Sequence, residues 1–138
     1  MRLPVRLLPV VLLLLAGSCA SPLEQASRRP GTITHVVICW LYDRGDETAL
    51  KAVADAAAQL RDIRGVVNIS VGRVVPSTRD VVDNSFDVAI VVTFDDQDSM
   101  ERYLVDPRHL QLKKNVLDRY VTKYRVYDAA SVGPSEKP

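Results

Sequence analysis

Phe86-Asp87-Val88-Ala89-Ile90-Val91-Val92-Thr93-Phe94 is the stretch on which the fold turns. Its β-branched and aromatic content predicts a strand. The alternation that marks a strand with one wet face is missing: Val88, Ile90 and Val92 are opposed by Ala89 and Val91. Residues 32–41 repeat the pattern, with Val36, Ile38 and Trp40 on one parity and Val37, Cys39 and Leu41 on the other. Strands apolar on both faces need two covers.

The segments around these strands supply only one cover. After the turn Asp43-Arg44-Gly45-Asp46, with Asp46 a predicted helix N-cap, Leu50, Val53, Ala54, Ala57 and Leu60 recur at helical spacing. Lys51, Asp55, Gln59 and Asp62 take the other side, and Gly65 is expected to stop the helix. Residues 66–71 alternate as a second strand, and 72–84 read as a polar loop containing Pro76. The acidic run at 95–98 lacks the central glycine and terminal glutamate of a calcium loop, so it reads as a helix cap. That helix carries Met100, Tyr103 and Leu104. It is interrupted at Asp106-Pro107 and restarts with Asp106 as N-cap and Pro107 in its first turn, continuing through Leu110, Val116, Leu117, Tyr120 and Val121. Tyr124-Arg125-Val126-Tyr127 is a fourth strand. The order βαββαβ predicts an α+β, ferredoxin-like fold. Two helices cover one face of such a sheet, and a second copy of the chain is the economical cover for the other. A homodimer closing as a dimeric α+β barrel is therefore expected.

Composition narrows the function classes. The 138 residues are 47% hydrophobic and 25% charged, which excludes a disordered tail and fits one domain. The N-terminus has Arg2 and Arg6, an apolar run over 7–16 and the small residues Ala16-Gly17-Ser18 before Cys19. This pattern is a secretory signal, and its run falls short of the about 20 apolar residues a span requires. Leu15-Ala16-Gly17-Ser18-Cys19 resembles a bacterial lipoprotein box, with Cys19 as the lipidated new N-terminus; an ordinary cleaved signal is the alternative. The expected organisation is a signal peptide at 1–18, a tether at 19–31, a folded domain at 32–129 and a tail at 130–138. The expected location is the bacterial cell envelope, through a lipid anchor, in the outer membrane if the host is diderm. Without Arg2 and Arg6 the 18 basic residues fall to 16 against 17 acidic, so nucleic acid is not an expected partner. Cys39 is then the one remaining thiol and reads as a core hydrophobe. Metal-binding, phosphate-loop and Ser-His-Asp patterns are absent, and no metal or cofactor is expected.

Thr34-His35-Val36-Val37, Gly65-Val66-Val67, Val71-Gly72-Arg73, the strand at 86–94 and above all Tyr103-Leu104-Val105-Asp106-Pro107-Arg108-His109 resemble the stress-responsive A/B barrel (Dabb) domain over roughly 32–128. Members of that family are dimeric α+β barrels, mostly without assigned chemistry, and one is a plant polyketide cyclase. The resemblance implies that Tyr103 and His109 match that cyclase's catalytic pair, and that His35 matches a cavity-lining histidine. Asp106 departs from the pattern, since the cyclase has histidine before the proline. The resemblance thus implies one cavity holding His35, Tyr103 and His109 within apolar walls of Val37, Ala89 and Val91.

Three functions follow as expectations. The first is a membrane-anchored domain binding an unidentified small, largely apolar molecule. The second is a cyclase- or isomerase-type enzyme in which His109 removes a proton alpha to a carbonyl and Tyr103 donates to the oxyanion. The third is a structural envelope dimer, in which His35 is a half-buried histidine hydrogen-bonded across the interface. The charge state of His109 stays open, because burial and the helix dipole oppose imidazolium while Asp106 favours it.

Overall fold

The computed structural model describes residues 29–132. The signal at 1–18, Cys19, most of the tether and the end of the tail lie outside the described residues. The elements are β1 (Ile33–Leu41), α1 (Glu47–Ala58), β2 (Val66–Arg73), β3 (Val88–Phe94), α2 (Gln97–Val105), α3 (Pro107–Leu112) and β4 (Val121–Ala130). A π-helical turn at Lys113–Leu117 and a last helical turn at Asp118–Tyr120 join α3 to β4. The strands form one antiparallel sheet in the order β2-β3-β1-β4, which is the ferredoxin-like arrangement.

The two strands without alternation are the central ones, as their composition requires. In β1 the odd-numbered residues Ile33, His35, Val37, Cys39 and Leu41 are buried under the helices, and the even-numbered ones are half-buried. α1 lays Ala49, Val53 and Ala57 on that covered face. Val53, Cys39, Val88, Val92 and Phe94 are fully enclosed. Val36, Ile38, Ala89 and Val91 lie on the other, uncovered face of the sheet.

Local chemistry sets most boundaries. The Asp46 carboxylate accepts from the Thr48 and Ala49 amides and starts α1. Asp96 accepts from the Ser99 amide at 2.8 Å, so the acidic run is a cap. Two boundaries differ from expectation. α1 ends at Ala58, not at Gly65, because Leu60 and Ile63 leave the helical path in short turns and still bury their side chains. Gly65, at φ +90°, instead turns the chain into β2. The last strand spans ten residues instead of four, held along its whole length by β1. The Gly31 amide donates to the Ser131 carbonyl at 2.9 Å and the Ser131 amide to the Thr32 carbonyl at 2.8 Å, tying the segment before β1 to the segment after β4.

Cys39 is a core residue with no solvent exposure, and burial pushes its thiol up to about 11. A thiol reagent should therefore gain one reactive site only when the protein is denatured. Rapid labelling of Cys39 in the native protein would contradict this packing.

Candidate functional site

The α2–α3 break brings the predicted residues together. α2 closes where the Asp106 amide donates to the Tyr103 carbonyl at 3.1 Å. The Asp106 side chain then accepts from the Arg108 amide at 2.8 Å, and Pro107 opens α3 with its missing N–H at a position that needs none. This reversal carries His109 back over α2. Its Nδ1–H donates to the Leu104 carbonyl at 3.1 Å, and its ring lies 4.5 Å from the Tyr103 ring at 37°. Asp106, the departure from the cyclase pattern, is spent on this cap and on an ion pair with Arg108 at 2.9 Å. Hydrogen bonds from Arg108 hold its carboxyl below the ordinary range.

His35 reaches the same cluster from β1. Its ring is 6.3 Å from Tyr103 and 6.3 Å from Phe94, and Tyr103 meets Phe94 edge-to-face at 4.9 Å. The His35 Nδ1–H donates to Asp128 Oδ1 at 2.6 Å within the same chain. Asp128 stands directly opposite His35 in the β1–β4 register. The hydrogen bond expected across a dimer is thus made internally. Phe94 and Asp128 are the members that sequence reasoning missed. Phe94 was legible as a strand residue, whereas Asp128 follows only from the register.

The expected walls are divided by the sheet. Val37 shares the covered face with His35 and is buried. Ala89 pairs with Ile38 and Val91 with Val36, so both lie on the opposite face. They do not line a space with Tyr103 and His109. The antiparallel register sets His35 against Val92, and the even-numbered residues of β3 therefore share its face. Tyr103 is a packing residue as well as a candidate site residue. It is 4% exposed and belongs to the core. Pockets of about 140 to 460 Å³ on the described surface are lined by other residues.

Protonation states follow from burial. Burial pushes the Tyr103 phenol up to about 12, so it remains a donor at neutral pH. Burial also lowers the His109 pKa, outweighing the Leu104 carbonyl that raises it. His109 is then neutral, and because Nδ1 carries the proton, Nε2 presents a lone pair. The Tyr103 hydroxyl makes no hydrogen bond to protein among the described residues. A donor and an acceptor are thus carried on neighbouring rings.

The lowered pKa has a consequence for stability. As pH falls below the ordinary value of 6.5, the unfolded chain takes up a proton at His109 that the folded chain refuses. This contribution is complete above 6.5 and is lost as pH drops through the folded value. His109→Gln should therefore lose less thermal stability than the wild type between pH 7 and pH 5. Parallel melting-temperature profiles for the two proteins would refute the burial-driven shift.

The stress-responsive A/B barrel domain profile matches residues 33–131. The chain belongs to the stress-responsive A/B barrel family. A Dabb protein of ferredoxin-like fold from Mesorhizobium loti is 25% identical at TM-score 0.61, with 75% of this chain and 99% of that one covered. Hydroxynitrile lyase from Passiflora edulis is 14% identical at TM-score 0.65, covering 80% of this chain and 100% of its own. A dimeric ferredoxin-like protein of unknown function from Bacteroides fragilis is 20% identical at TM-score 0.60, covering 72% and 96%. The last two likenesses establish the fold alone. No curated protein matches the chain.

Proposed function

We propose that this Dabb domain binds a small, largely apolar molecule whose carbonyl or hydroxyl group meets the Tyr103 hydroxyl and His109 Nε2. The observation that carries the reading is the adjacency of a phenol and an imidazole whose hydroxyl and Nε2 bond no protein group among the described residues. Such a pair, in apolar surroundings, orients a ligand and adds selectivity to non-directional burial. The test is native mass spectrometry of the purified protein, followed by titration of any retained molecule against His109→Gln. A tenfold or larger loss of affinity supports the reading. Unchanged affinity leaves the cluster as packing within a structural dimer.

A cyclase- or isomerase-type reaction at the same pair is the second reading. It is favoured by the Leu104 carbonyl, which holds the proton on Nδ1 and so keeps Nε2 as a base. Hydroxynitrile lyase from Passiflora edulis is an enzyme on this fold.

The reading includes a homodimer closed over the uncovered sheet face. Its support is the half-buried Val36, Ile38 and Val91 on that face and the dimeric state named for the Bacteroides protein. Val91→Lys should shift the protein from dimer to monomer in equilibrium sedimentation. A wild-type monomer at micromolar concentration would remove the dimer from the reading. Envelope attachment through an acylated Cys19 rests on residues 15–19, and mass spectrometry of membrane-extracted protein tests it. A mature chain beginning elsewhere would exclude it.

A further inference from the structure

A groove of about 190 Å³ lies in the helical layer, between the end of α1 and the segment that runs from α3 into the π-helical turn. Only these segments and the turn after α1 line it, so it is clear of the sheet face assigned to the partner copy. Its walls follow from helical spacing. Gln111 and Asn115 are four residues apart and form one row, and Leu112 and Val116 form the row beside it. Ala56 and Gln59, three apart at the end of α1, repeat the pairing of apolar and amide groups from the other side. The π turn carries Asn115 and Val116, and turns of this kind recur at functional sites. The Gln59, Gln111 and Asn115 carboxamides bond no protein group among the described residues. Arg108 is the one charged residue of the lining, and Asp106 accepts from its Nε and Nη2 at 3.0 and 2.9 Å.

This lining discriminates between ligand classes. An anion would have to displace Asp106 from Arg108, and a cation finds no carboxylate in the groove. A wholly apolar molecule would strip water from three amides and replace none of their hydrogen bonds. A hydroxyl both donates and accepts, as a carboxamide does, so a set of amides matches a set of hydroxyls. A saturated ring that bears them also presents C–H surface to Ala56, Leu112 and Val116. A cavity of about 150 Å³ holds one six-membered ring. We infer that this groove binds one neutral pyranose ring, with Gln59, Gln111 and Asn115 on its hydroxyls and Ala56, Leu112 and Val116 against its C–H face. The assignment does not depend on the reading of Tyr103 and His109.

The experiment is saturation-transfer NMR on the full-length chain in phosphatidylcholine nanodiscs, with empty nanodiscs as the blank. The probes are methyl β-D-glucopyranoside and 2-methoxytetrahydropyran, the corresponding ring without hydroxyl groups. The expected result is saturable transfer to the glucoside in the millimolar range, and at least tenfold weaker binding of the bare ring. Gln59→Met and Gln111→Met keep the length of the side chain and remove its amide. Each should weaken glucoside binding about threefold or more, as loss of one hydrogen bond does, and the pair at least tenfold. Both residues are exposed, so neither variant is expected to disturb folding. Methyl β-cellobioside separates the sources of the ring: binding as tight as the glucoside's assigns the end unit of a glycan, and exclusion assigns a free sugar. Either result supports a pyranose site. Absence of saturable transfer, equal binding of the bare ring, or unaltered binding by the double variant would each overturn the assignment.

Discussion

Gly65→Ala should destabilise the domain by about 2 to 5 kcal/mol, the sum of a left-handed backbone cost and an overpacking cost. Gly65 sits at φ +90°, where a side chain is strained. A Cβ there would also stand 2.3 Å from Ser99 Oγ and 2.4 Å from Ser99 Cβ. Ser99 cannot simply swing aside, because its own Cβ is part of the clash and its amide is held by Asp96. α2 itself must therefore move. The Gly65 carbonyl also accepts from the Asp95 amide at 3.0 Å, immediately before the helix. This close approach sets the depth of α2, and Tyr103 lies on the same helix face one turn after Ser99. For a domain of this size the melting temperature should fall by roughly 10 °C or more. Gly45→Ala is the control, since Gly45 has φ +81° but open space around its Cβ position. It should show the backbone cost alone. Equal effects of the two substitutions would show that the Ser99 contact does not govern the position of α2.

Tyr103→Ala should cost about 3 to 5 kcal/mol, as deletion of a buried aromatic ring does. The ring is buried, and it touches Phe94, His35 and His109 at once, so its loss leaves a void among four elements. Tyr103→Phe keeps the ring and removes a hydroxyl that bonds no protein group among the described residues. Its stability should stay within about 1 kcal/mol of the wild type, because no protein hydrogen bond is broken. The two substitutions thereby separate packing from ligand contact at one position. Calorimetric or denaturant unfolding reads the first, and ligand titration of Tyr103→Phe reads the second. A strongly destabilised Tyr103→Phe would mean that the hydroxyl is part of the core's own hydrogen bonding and not a ligand contact.

The element order, the caps and the double apolar character of the central strands were determined by the sequence itself. Asp46, Asp96 and Asp106 start their helices because a carboxylate two or three residues before an amide satisfies it locally, with no help from the rest of the fold. Asp106-Pro107 marks the break between α2 and α3 for the same reason. Family membership followed from short motifs kept in order along one domain.

Other features were decided by tertiary structure. A strand apolar on both parities does not state which parity the helices cover, so Ala89 and Val91 could be assigned to the wrong side of the sheet. The pairing register settles that, and it also brings Asp128 to His35 across 93 positions of sequence. Periodicity over 50–60 likewise did not mark the end of α1, because Leu60 and Ile63 are buried whether the chain is helical or turning. The protonation of His109 depended on the same cause. The local dipole and Asp106 pull in opposite senses, and burial against Tyr103, visible only after folding, tips the imidazole to neutral. Local hydrogen bonding acts over a few residues and is written in the chain. Face, register and burial arise from contacts among distant segments, and they exist only once the sheet and helices have packed.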